Sequence, residues 1–309
     1  MKILIIKPSS FGDIVQALPC ANALKQAYPK CEISWVVFNG WESLLKICLD
    51  VDKIISWNRK RGLKGFFEIL KEVRKTKYDI IIDLQGLLRS AALTRFATAK
   101  TKIGVPGMKE FSSFLIKEVC PKKANINATL RNLEPVRFLT GQLFNPEVNI
   151  KIESNAESIL KDNKVFGDFL TLLPFARGDG KEWGVDNYCK LIDLVKNKYI
   201  NIQIVVLGLK SDFGKIRSDR IVDLCGKTNI EDLAGILLKS KVAVGADTGS
   251  MHLSSILQTP SIFIFGASDI NETSPYIGRF SLFVNEKNRD RINNIKSENV
   301  FAEIQKWIK

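Results

Sequence analysis

Histidine occurs once in 309 residues and methionine three times, and six cysteines are scattered with no C-x-x-C pair. One imidazole and isolated thiols argue against a zinc site and for reduced, mostly buried cysteines, as in a cytosolic protein. No apolar run reaches the roughly 18 residues a membrane-spanning helix needs. The opening Met1-Lys2-Ile3-Leu4-Ile5-Ile6 is too short for a signal peptide and runs into Lys7-Pro8, so it reads as a buried strand of a soluble chain. The loop after that strand, 7–15, has neither G-x-G-x-x-G nor G-x-x-x-x-G-K-[ST], which disfavours nicotinamide and P-loop chemistry. Internal repeats and low-complexity tracts are absent as well.

Present instead is a globular composition, 45% hydrophobic and 26% charged, with a net charge of +13. The excess is unevenly spread. Residues 1–150 hold 24 Lys and Arg against 13 Asp and Glu (+11), and 151–309 hold 22 against 20 (+2). An anionic partner of the first half follows: nucleic acid, an anionic membrane surface or a phosphorylated substrate. A generally lysine-rich composition would give the same total. Nucleic acid is disfavoured, because no binding motif occurs and aromatics are not interleaved with the basic runs.

Short apolar runs alternate with amphipathic stretches. Strands are expected at 2–6, 33–38, 53–56 and 78–84, and helices at 12–26, 41–49 and 64–75. A second series starts near 167, with strands at 169–173, 202–207, 220–223, 242–245 and 261–265. Its helices are expected at 185–198, 230–239 and from 249, with a capped one at 297–309. The pattern predicts two consecutive α/β domains with doubly wound parallel sheets. A polar linker at 149–155 divides them into 1–152 and 153–309, the C-terminal helix being a candidate to pack back on the first domain. Ligands of such sheets lie beyond the carboxyl ends of the strands.

Four strand ends carry chemistry. At 7–15, Asp13 stands just inside a helix behind Ser9, Ser10 and Gly12; it is either a capping carboxylate or a general base. At 83–91, Gln85, Gly86 and Arg89 end a strand and open a helix. At 173–184, Arg177 and Lys181 could hold phosphate oxygens, with Trp183 packing beneath. At 247–252, Asp247-Thr248-Gly249-Ser250 opens a helix carrying His252. Such an N-terminus suits a pyrophosphate, although Asp, Thr and Ser are also ordinary caps. The basic run 58–65, with Arg59, Arg61 and Lys64, reads as a flexible solvated loop or an anion clamp.

In order and spacing, K-I-L-I-I-K-P-S-S-F-G-D at 2–13, D-L-Q-G at 83–86, K-E-W at 181–183, D-T-G-S-M-H at 247–252 and T-S-P-Y-I-G at 273–278 resemble the ADP-heptose:lipopolysaccharide heptosyltransferases, glycosyltransferase family 9. The S-S-x-G-D form at 9–13 resembles heptosyltransferase I more than heptosyltransferase II. The resemblance covers almost the whole chain. It implies a GT-B fold, two Rossmann-like domains facing a central cleft, in a monomer.

It also implies an inverting, metal-independent transfer of heptose from ADP-heptose to Kdo-lipid A, with no cofactor and no carboxylate cluster for a divalent ion. Asp13 would be the base. Lys181, with Arg177 and the 248–250 helix start, would neutralise the departing diphosphate. Asp247 would bind sugar hydroxyls, His252 would brace the phosphate loop and Thr228 would lie near adenine. Lys109 and Arg131, with the basic 59–64 segment, would meet the acceptor's anionic groups and an anionic inner-membrane surface, making the protein peripheral on the cytoplasmic face. Two positions depart from the family pattern. Gly208-Leu209-Lys210 lacks a ribose-binding glutamate, and Gln16 replaces a histidine. A heptosyltransferase II-type acceptor and a basic nucleic-acid-binding protein are the alternatives.

Overall fold

The structure, a computed structural model, describes residues 1–116, 118–121, 126–176, 180–209, 221–266, 268–284 and 292–308. The chain divides into two units, Met1–Lys151 and Ile152–Lys309.

The first unit contains β1 (Lys2–Ile6), α1 (Phe11–Val15), α2 (Leu18–Ala27), β2 (Glu32–Phe38), α3 (Glu42–Lys46), β3 (Lys53–Trp57), α4 (Gly62–Arg74), β4 (Tyr78–Asp83), α5 (Leu88–Phe96), β5 (Ala99–Gly104), β6 (Glu118–Val119) and α6 (Ala128–Thr140). Its strands form one sheet in the order β3-β2-β1-β4-β5-β6. Every pairing is parallel. β1 lies at the centre with Ile3 to Ile6 wholly buried, which is why this strand is apolar without alternation. In α4, buried Gly65, Ile69, Leu70 and Val73 follow the helical period and close over Trp57, Tyr78 and Ile81.

The second unit contains α7 (Ala156–Asp162), β7 (Phe169–Leu173), α8 (Val185–Lys198), β8 (Gln203–Val206), β9 (Ile221–Asp223), α9 (Ile230–Lys239), β10 (Ala243–Ala246), α10 (Gly249–Ile256), β11 (Ser261–Phe265), α11 (Ile270–Thr273), β12 (Phe280–Val284) and α12 (Ser297–Trp307). The sheet order β12-β11-β10-β7-β8-β9 repeats the first unit's topology. Its pairings are again parallel. Each unit is thus a doubly wound Rossmann-like sheet. In each, the winding reverses between the first and fourth strands, β1/β4 and β7/β10, and such a switch point is where ligands bind.

Three expectations need correction. The single helix at 12–26 is two, α1 and α2, because Pro19 sits in the first turn of a new helix, where its missing N–H costs nothing. The run 58–65 is not a flexible loop: Arg59–Arg61 forms a 3₁₀ turn and α4 starts at Gly62. The C-terminal helix α12 buries Val300 and Ile304, with Ile308 just beyond it, beside Trp183, Tyr188 and Ile192 of the second unit's core. It also lacks a side-chain cap; Ser297 Oγ donates instead to Asn187 O of α8 at 2.9 Å. Of the six cysteines, none is disulfide-bonded, and all but Cys189 and Cys225 are buried.

Candidate active site

In the first unit, β1 and β4 run side by side with Ile6 opposite Asp83, so the loops that follow meet. Ser10 is the N-cap of α1 and Asp13 its third residue. Asp13 Oδ2 accepts from Ser10 N at 3.0 Å and from Ser10 Oγ at 2.6 Å. The carboxylate therefore does cap its helix, but through one oxygen only; among the described residues nothing donates to Oδ1. Burial would raise the Asp13 pKa. The Lys7 ammonium, the two bonds from Ser10 and the Arg131 guanidinium outweigh it and hold the carboxyl below its usual range. A base that is ionised and keeps an oxygen in hand can take a proton.

Lys7 and Asp83, which the motif reading included but gave no role, organise this point. Lys7 is 3% exposed, and its Nζ donates to Leu84 O at 3.2 Å. Burial lowers its pKa, Asp13 and Asp83 oppose that, and Arg131 adds to it. Asp83 is fully buried, and burial raises its pKa to about 6. Its Oδ1 accepts from Gln85 N and Gly86 N, both at 2.9 Å, and its Oδ2 from Ser90 Oγ at 2.9 Å. Those bonds shape the D-x-Q-G turn, whose Gly86 has φ +66°, a conformation that favours glycine. Gln85 Oε1 then accepts from Ser9 N at 3.3 Å and ties the β4 loop to the Asp13 loop. The roles of both had one signal in the sequence, a charge ending an apolar strand.

Ser9, Ser10, Gly12, Asp13, Gln85 and Arg131 thus gather at one switch point, with Arg131 supplied by α6. The other basic candidates lie apart. Arg59 lies over the Phe38 ring at 5.5 Å, and Arg61 is paired with Glu68 at 2.6 Å. Lys64 and Arg89 are exposed on α4 and α5. Lys109 is exposed, with its backbone N–H bonded to Gly86 O at 2.8 Å.

In the second unit the chain after β10 turns at Asp247 and enters α10, with Thr248 as N-cap accepting from Met251 N at 3.4 Å. The first-turn N–H groups of Gly249 and Ser250, both half-buried, have no intrahelical acceptor and lie at the positive end of the helix. Asp247 is buried. Its Oδ1 lies 3.0 Å from His252 Nε2, and its Oδ2 accepts from Lys181 Nζ at 3.3 Å. Burial would raise its pKa; the His252 bond and charge and the Lys181 ammonium hold it low. A carboxylate only accepts, so the His252 ring nitrogen donates, which fixes the ring and braces the turn. Lys181 remains one-third exposed, a cation held at the helix start.

Trp183 sets the height of the Lys181 loop: it is fully buried, donates to Ile295 O at 2.8 Å and meets the Tyr188 ring edge-on at 4.9 Å. Gly278, of the 273–278 motif, supports α10 from below. A Cβ there would meet Ser255 O at 2.1 Å, and its φ is +101°. Thr228 is half-buried between β9 and α9, two strands from β7. Gly208 and Leu209 follow β8, and Leu209 is exposed. Arg177 and Lys210 lie outside the described residues. Among the described residues no three His, Cys, Asp or Glu side chains come together as a metal site.

Residues 66–302 match Glycosyltransferase family 9 (heptosyltransferase). Lipopolysaccharide heptosyltransferase 1 of Salmonella typhimurium is 28% identical over 294 residues, covering 87% of this chain and 89% of that protein. The enzyme of the same name from Escherichia coli K12 is 27% identical over 295 residues, covering 87% and 89%. Among solved structures, E. coli heptosyltransferase WaaC with ADP-2-deoxy-2-fluoro heptose superposes with a TM-score of 0.81 at 23% identity, over 99% of each chain. E. coli ADP-heptose lps heptosyltransferase II superposes at 0.84 and 19%, over 99% of this chain and 98% of that one. The fold is therefore GT-B-like, and with the family match spanning more than half its length this chain is a glycosyltransferase that belongs to glycosyltransferase family 9, the heptosyltransferases.

Proposed function

We propose that the protein transfers L-glycero-D-manno-heptose from ADP-heptose to Kdo of Kdo-lipid A, with inversion, in lipopolysaccharide core biosynthesis. The observation that carries the reading is Asp13, ionised at the carboxyl end of the central strand with Oδ1 uncommitted among the described residues. Asp13 takes the proton of the acceptor hydroxyl as its oxygen attacks the anomeric carbon. The bond to the ADP phosphate breaks on the opposite face, so one displacement inverts the configuration. Charge developing on the leaving diphosphate meets Lys181 and the N–H groups at the start of α10, fixed charges that stabilise it without reorganisation. Those groups supply the positive charge a divalent ion would otherwise bring, so the reaction proceeds without metal. Asp247, positioned by His252, accepts from sugar hydroxyls, and the protein works at the cytoplasmic face of the membrane. The matched names in two species support heptose as donor sugar and lipopolysaccharide as product.

The test is ADP release from ADP-heptose by the protein and by Asp13→Asn, with Kdo-lipid A, with heptosyl-Kdo-lipid A and without acceptor. Release with Kdo-lipid A that persists in EDTA and falls at least about 100-fold in the variant, with donor binding retained, is the expected result. Release only with the heptosylated acceptor moves the assignment to a heptosyltransferase II-type activity. Undiminished turnover by Asp13→Asn removes Asp13 from the mechanism.

A further inference from the structure

We propose that Phe111 and Phe114, with Leu88 beside them, are the element by which the first unit docks on an anionic lipid surface. The two rings are 83% and 85% exposed and stack on each other, centroids 6.5 Å apart at 21°. Leu88 is 50% exposed at the start of α5. Solvated single apolar residues are commonplace; two stacked phenylalanines held out by rigid backbone are not. The backbone here is held firmly. Glu110 and Phe111 both have φ +56°, an uncommon conformation for side chains of this size. It is imposed by bonds from Lys109 N and Ser112 Oγ to Gly86 O, at 2.8 and 3.0 Å, and from Leu88 N to Glu110 Oε2 at 3.0 Å. That last bond also engages the Glu110 carboxylate, next to Phe111 in the chain.

Charge identifies the occupant. Lys109 and Arg89, the sequence neighbours of this apolar group, are exposed, and the first half of the chain carries +11 of the total +13. Aromatic rings among cations suit the boundary of an anionic leaflet, where rings enter the acyl edge and ammonium groups meet headgroups. The platform hangs from Gly86 of the turn whose Gln85 holds Ser9, so a lipid-anchored acceptor would arrive beside Asp13. The siting of the acceptor rests on the function proposed above; lipid binding does not.

The experiment is co-sedimentation with vesicles of phosphatidylcholine alone or mixed with phosphatidylglycerol, for the protein, Phe111→Ser/Phe114→Ser and Phe111→Trp/Phe114→Trp, with circular dichroism confirming the fold. Partitioning onto the anionic vesicles alone is expected, weakened by at least about tenfold in the serine variant and kept in the tryptophan variant. ADP release with vesicle-embedded Kdo-lipid A should fall in the serine variant, and release with the delipidated acceptor should not. Equal partitioning of the protein and its serine variant, or none by either, overturns the proposal. So does a dimer that the serine variant abolishes, since a second copy would then cover the rings. Lost partitioning with no turnover on any acceptor upholds docking and overturns the assigned function instead.

Discussion

Asp83→Asn isolates the energetic consequence of burying a carboxyl at the switch point. Asp83 has no exposed surface, and its pKa rises from 3.8 to about 6. A folded-state pKa above the unfolded one means that folding takes up a proton between the two values. This stabilisation is complete below the unfolded pKa and is lost as pH rises through about 6. The interval corresponds to about 3 kcal/mol at about 1.4 kcal/mol per tenfold, roughly half of it recovered on going from pH 8 to pH 5. Asparagine keeps an oxygen for the N–H groups of Gln85 and Gly86, and Ser90 Oγ can turn to accept from the new amide. The variant should therefore fold at neutral pH at least as stably as the parent and lack its extra stability in acid. Urea unfolding of both proteins from pH 8 to pH 4 measures this as the difference between their curves, in which all other titrating groups cancel. A difference independent of pH would refute the reasoning, because Asp83 would then be ionised equally in both states. Asp83→Ala should instead release the turn and lower turnover, as Ser9 loses its hold on Gln85.

Lys7→Met should move the acid limb of the kcat/KM profile to higher pH, because Lys7 is the foremost influence lowering the Asp13 pKa against burial; an unmoved limb would separate Lys7 from the base. Lys181→Gln should weaken ADP binding by about 10- to 100-fold, the size of a charge-assisted hydrogen bond, and weaken AMP less. Isothermal titration measures both, and an equal loss for the two nucleotides would move Lys181 away from the terminal phosphate. Gly278→Ala should destabilise the second unit by about 2 kcal/mol or more, since its φ of +101° is strained for any side chain and the new Cβ meets backbone. A melting temperature within about 1 °C of the parent would contradict that packing.

Apolar periodicity was enough to read two parallel α/β domains from the chain, because strands such as Ile3–Ile6 and Ile262–Phe265 are buried on both faces and carry nothing but the requirement to be apolar. Turn chemistry was legible for the same kind of reason: Asp13, Asp83-Leu84-Gln85-Gly86 and Asp247-Thr248-Gly249-Ser250 satisfy neighbours within a few residues, and local bonds leave local patterns. The family followed from several such patterns in order. Which loops meet was decided only in three dimensions. Parallel pairing of β1 with β4 sets Ile6 opposite Asp83 across 77 residues, and that register makes Lys7 a buried partner of two carboxylates rather than a solvated lysine. Arg131 reaches Asp13 from α6, over 100 residues away, whereas Arg61, nearer in sequence, is spent on Glu68. Exposure behaves likewise, for no local rule separates Phe111 and Phe114 from core phenylalanines such as Phe263. Charge and burial are properties of the assembled sheet and its neighbours, and a linear chain records only the residues from which that assembly selects.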